Sequence, residues 1–183
     1  MNFNEFLATA AAALATQFPG VRSSKPHRGR FTLDELGAMS QAAPALRVAL
    51  WEISGVTEVS GGLKDIACRF SLAVVTGDTK GLPREEAANN LVEALCVWLP
   101  GQTFGHDAAH GAQAVTARNL YDSGKAGSRV QLWEVTWRQT LRLGSDLWAE
   151  GTMPSELYAG FSPEIGADHE PDYDLVTGED GDA

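Results

Sequence analysis

His106 and His110 stand four residues apart in "GHDAAHG". On a helix that spacing would put both imidazoles on one face, as in the H-E-x-x-H pattern of zinc proteases, where the glutamate is the general base. Here position 107 is Asp, a shorter side chain for a base, and no third ligand is evident. Gly105 and Gly111 flank the segment and argue against a long helix. The stretch reads as a surface loop, with a metal-dependent soluble enzyme as the alternative. Other catalytic signatures are missing. "SGGLKD" and "GKAGS" lack phosphate-loop spacing, and there is no G-x-S-x-G elbow. The acid pairs Asp34–Glu35 and Glu85–Glu86 fall at expected helix starts, where they offset the helix dipole. The expectation is a protein that is not an enzyme, with no cofactor and no metal.

Interaction chemistry is better represented. In "WEVTWRQTLRLG", Trp133, Val135, Trp137, Leu141 and Leu143 fall on one parity, and Glu134, Thr136, Arg138, Thr140 and Arg142 on the other. That alternation predicts a half-buried strand. In "LKDIACRFSLAVVT", Ile66, Cys68, Phe70, Leu72 and Val74 share one face, and Asp65, Ala67, Arg69, Ser71 and Ala73 the other. Two polar faces thus carry Arg69, Glu134, Arg138 and Arg142, which are candidates for subunit contact or pore lining. Charge reversal at Arg138 should disturb assembly more than folding. Lys125, in a Gly-rich turn, is a further candidate. Five tryptophans are a surplus for 183 residues, and aromatic anchors favour interfaces. Trp148 lies past the last strand and is the candidate anchor between subunits, with Tyr158 and Phe161 behind it.

The elements that must hold these residues follow from the pattern. Residues 4–17 predict a helix capped by Asn4 and stopped at Pro19-Gly20. "GVRSSKPHRGR" predicts a loop whose Arg22, Lys25, Arg28 and Arg30 could meet phosphate or an acidic neighbour; no aromatic residue interleaves them for base stacking. Thr32 and Glu35 form a capping-box pattern for a short helical turn. Leu46–Ser54 and Leu63–Thr76 predict a hairpin around Gly61-Gly62. "GLPREEAANNLVEALCVWLPG" is the clearest helix, with Leu91, Leu95, Trp98 and Leu99 as the stripe against the sheet. "AVTARNLYD" and "SRVQLWEVTWRQTLRLG", residues 128–144, predict a second hairpin. The order predicts an α+β fold: a small antiparallel sheet of two hairpins with helices on one face.

Composition sets the limits. A chain of 183 residues with 44% hydrophobic and 21% charged residues suits one soluble domain, here residues 1–145. Cys68 and Cys96 lie in apolar segments without zinc spacing and read as buried free thiols. "MNFNEFLATAAAALATQF" has no basic start, so an intracellular product without a membrane span is expected. Net charge is −10 but uneven. Residues 1–145 hold 14 Lys and Arg against 13 Asp and Glu, or +1, whereas residues 146–183 hold 11 acids and no base, or −11. Such an end reads as a solubilising, partly disordered extension, or as a peptide that lies on a basic neighbour. Its Leu147, Trp148, Leu157, Tyr158, Phe161, Ile165 and Tyr173 are potential docking anchors.

Three stretches carry a family resemblance: "APALRVALWEISG", "LYDSGKAGSRVQLWEVTWRQTLRLGSDLW" and "SELYAGFSPEIGADHEPDY". Together, over roughly residues 31–174, they resemble the small neck proteins of Mu-like phages and prophages, thought to be tail terminators. The resemblance implies a tail-terminator-like fold and a hexameric ring that caps the tail tube and joins the head neck. Implied partners are other copies of the chain, the tail tube protein and a head-side neck or stopper protein. DNA would pass through the pore without specific binding. The implied location is the virion, after assembly in the host cytoplasm. No catalytic residues come with the family. A head-side stopper or adaptor is the runner-up within this class. The basic loop 22–30 lies outside the resemblance.

Overall fold

Asn2, not Asn4, starts the first helix. Its side chain accepts from the Glu5 amide at 3.0 Å, and the Glu5 carboxylate accepts from the Asn2 amide at 2.9 Å, a reciprocal capping box. Helix α1 runs Phe3–Gln17 and buries Phe6, Leu7, Ala10, Ala11 and Leu14. The computed structural model describes residues 1–29, 41–78, 81–120, 130–144, 157–163 and 165–177. The chain divides into two compact units, Met1–Gly144 and Ser145–Ala183. The Thr32–Glu35 capping pattern lies outside the described residues.

The first unit is α+β. Its strands are β1 (Ser23–Pro26), β2 (Ala45–Glu58), β3 (Lys64–Gly77), β4 (Gln113–Asn119) and β5 (Val130–Leu143), with helix α2 (Arg84–Trp98) between β3 and β4. The sheet order is β1-β2-β3-β5-β4. Both expected hairpins are present, and Gly61 and Gly62, at φ 76° and 80°, turn the first of them. The expectation of a purely antiparallel two-hairpin sheet needs correction. A fifth strand, β1, adds parallel to β2 from inside the segment read as a basic loop. Its register sets Ser23 to Pro26 against Ala45 to Val48, and the Arg47 guanidinium donates to the Ser23 carbonyl at 3.1 Å. Four residues including Lys and Pro show no alternation, so edge pairing and not a hydrophobic pattern makes this strand.

Both helices pack on one face. Phe6 of α1 meets Phe70 of β3 at 4.9 Å between ring centroids, and Phe70 stacks on Trp137 of β5 at 5.4 Å. Phe18 and Trp98 bring the ends of the two helices together. Leu46, Val48, Leu72, Val74, Val135 and Leu141 complete the sheet side of this core. From α2 the fully inward residues are Ala88, Val92 and Leu95, with Leu99 just beyond, while Leu91 and Trp98 are only partly buried. The stripe is thus rotated by about one position from the expected one.

Residues between α2 and β4 fold as turns. They run along β5 beyond the end of β4, with Ala109 bridged to Leu141 and the His110 amide on the Thr140 carbonyl at 2.9 Å. Gln139, buried in the core parity of β5, holds them there. It accepts from the Trp137 indole at 2.9 Å and donates to the carbonyls of Gln102 and His110 at 2.9 and 2.7 Å.

The second unit contains a two-stranded antiparallel sheet, β6 (Leu157–Ala159) with β7 (Asp174–Thr177). Tyr173 lies flat over Gly160, where an added Cβ would come within 2.5 Å of the ring. The Gly166 amide donates to its hydroxyl at 2.7 Å. No helix among the described residues is long and apolar enough to cross a membrane.

Candidate interaction face of the sheet

Opposite the helices, the pleat of β3 and β5 presents Asp65, Ala67, Arg69 and Ser71 beside Glu134, Thr136, Arg138, Thr140 and Arg142. Register pairs these side chains one by one. Arg142 grips Asp65 with two hydrogen bonds, at 2.8 and 3.0 Å. This fork holds the Asp65 carboxyl below the usual carboxylate range and raises the Arg142 guanidinium, with His110 lowering Asp65 a little further. Glu134 accepts from the Ser71 hydroxyl and from Arg118 of β4, each at 2.9 Å. Thr116 and Thr136 share a hydrogen bond at 2.9 Å. Arg69 lies 3.5 Å from Glu52. Arg69 and Arg138 are direct cross-strand partners. Arg138 is exposed and has no ion pair among the described residues.

Part of this face lines a groove of about 470 Å³, walled by Trp51, Arg69, Thr116, Arg118, Glu134 and Thr136. Trp51 stands on the polar face by the alternation that runs through Arg47 and Ala49, and the bulge between Leu50 and Glu52 brings Glu52 to the same face, opposite Arg69. The extra residue shifts the alternation, and Trp51 is left 53% exposed. At the other end of the same face the parity turns apolar. Ala45, Val75 and Val130 form a small second cluster with Leu132 packed on it.

Of the sequence-expected residues, Arg69, Glu134, Arg138 and Arg142 share this one face. Tyr158 and Phe161 belong to the second unit, where Phe161 is 75% exposed. Lys125 and Trp148 lie outside the described residues. Asp65, Arg118 and Trp51 were not singled out. The polar parity of β3 contained Asp65, and the parity of Arg47 and Ala49 in β2 runs on to Trp51.

His106 and His110 do not share a helical face, since residues 103–109 are turns. The His106 ring lies 5.6 Å from that of Phe6, with Nε2 buried and unpaired, whereas His110 is exposed. No three His, Cys, Asp or Glu side chains gather into a metal-binding group among the described residues. Cys68 and Cys96 are unpaired. Burial pushes the Cys68 thiol up to about 11 and raises that of the half-buried Cys96 as well.

The chain matches no protein-family model and no curated protein sequence.

Proposed function

We propose that this chain is a structural virion protein of a long-tailed bacteriophage. It is a tail terminator that forms a hexameric ring, caps the tail tube and joins it to the head neck. The reading begins with the resemblance of its first hairpin strand, last hairpin and acidic end to Mu-like neck proteins. The observation that carries it furthest is the charged part of the sheet face. Helices bury one side of the sheet, and the other side groups Arg69, Glu134, Arg138 and Arg142, with Arg138 and Arg142 exposed and able to face a pore or a neighbour. Ring closure needs two different surfaces on each subunit, and a one-sided sheet with open edges offers them.

Deleting the gene from the phage tests the role. Tails of abnormal length, or tails without heads, are expected under electron microscopy. Tails of normal length joined to heads would overturn the proposal. Normal tails accompanied by heads that lose DNA would move the chain to the head-side stopper position.

A further inference from the structure

We propose that two open edges of the five-stranded sheet pair with each other between copies of this chain: residues 51–58 of β2 with β4 of the next copy. The inference rests on the ring reading and names its contact. On its outer side β2 is covered by β1 only from Ala45 to Val48. From Trp51 to Glu58 every residue is exposed, and no described strand pairs with that side. Native sheets protect such edges with lysine, proline or short length. This one is eight residues long and displays Trp51, Ile53 and Val56, each about half exposed. On the far side of the sheet, β4 pairs with β5 alone among the described strands and is exposed at six of its seven positions.

Direction, charge and stagger agree. β2, β3, β5 and β4 alternate in direction, so β2 and β4 are antiparallel within one chain. A copy set alongside without inversion therefore offers β4 antiparallel to β2, which is a head-to-tail contact able to close into a ring. Setting Arg118 beside Glu52, both on the polar face, brings Gln113 beside Thr57, again both on the polar face.

Through the ladder, Glu52 to Glu58 lie level with Arg138 to Leu143, and β4 lies level with Trp133 to Arg138. The offset is about five residues, or about 17 Å, across four strands of about 19 Å total width. Strands joined with that stagger incline by about 42° to the ring axis, inside the ~35–45° range of closed barrels.

Amide hydrogen exchange on the full chain, dilute and concentrated, tests the pairing. On assembly, amides 51–58 and 113–119 should both slow by about tenfold or more. Val56→Lys should abolish assembly while leaving the circular dichroism of the dilute protein unchanged. Protection of 51–58 alone would mean a symmetric pair and would overturn the head-to-tail contact. Assembly with both edges still exchanging fast would overturn the inference and leave the ring. A chain that stays monomeric at all concentrations would also overturn it, while the deletion phenotype would still judge the ring.

Discussion

Arg138 faces Arg69 directly across the ladder, and no carboxylate pairs with it among the described residues. Charge reversal should therefore help folding. Arg138→Glu replaces a like-charge cross-strand pair by an opposite one, worth about 0.2–1 kcal/mol. A raised urea midpoint with an unchanged slope is expected, and a lowered midpoint would mean the two side chains do not interact. Asp65 is the opposite case. Its carboxyl is held below the ordinary range by Arg142, so the pair stabilises the fold at pH values above the unfolded carboxyl's pKa, about 3.9. That contribution is lost as pH falls through the lower folded value. Carboxyl NMR should give Asp65 a titration midpoint below the usual one, restored by Arg142→Ala; an ordinary midpoint in the wild-type protein would contradict the fork. Gln139 gives the largest effect of the three. Gln139→Ala leaves the Trp137 indole N–H and two carbonyls without their partner, at a cost of about 1–3 kcal/mol for a buried unsatisfied group. Equilibrium unfolding measures it, and a change below the lower bound would place water in that site.

At the scale of elements, what was legible in the sequence is what repeats. The alternation from Trp133 to Leu143 and from Asp65 to Val74 gave both the strands and their faces, because a pleat returns each side chain with period two. Helix α2 and both hairpins followed from Pro, Gly and an apolar stripe. Features set by a single residue or by pairing were not legible. The bulge after Leu50 brings Glu52 round beside Trp51 on the outward face, and no local composition marks that extra residue. Strand β1 exists through its partner, and the turns at residues 103–109 are held by Gln139 from another element. The start of α1 was missed by two residues because Asn2 and Asn4 are both good caps, and only the reciprocal Glu5 bond selects Asn2. Asn2→Ala should lower stability by about 1 kcal/mol. Asn4→Ala, at an exposed position inside the helix, should stay within about 0.5 kcal/mol of the parent. Thermal melts of the two variants side by side check this, and equal losses would show that the capping box does not hold the helix.

For the whole molecule, the question is how a chain whose polar face carries several arginines could line a DNA channel without gripping it. Phosphate contacts by Lys and Arg bind without regard to sequence and would stall a moving duplex. On this face Arg69 lies by Glu52, Arg118 by Glu134 and Arg142 by Asp65, so three of its five arginines are answered by a carboxylate in the same subunit. In a ring whose lumen is this face, the pairs would repeat around the wall and leave Arg138 and the half-buried Arg47, which donates to backbone carbonyls, without a carboxylate among the described residues. Removing the acids should expose the bases. Glu52→Gln, Asp65→Asn and Glu134→Gln together free three arginines per copy, and each new phosphate contact steepens the fall of log binding constant with log salt by about 0.9. Fluorescence anisotropy of a labelled duplex, titrated at several salt concentrations, should show weak binding by the parent and tight, steeply salt-dependent binding by the triple variant. If the parent already binds as tightly, the carboxylates do not screen the face. If neither binds, the face does not meet DNA and its arginines serve contacts between proteins instead.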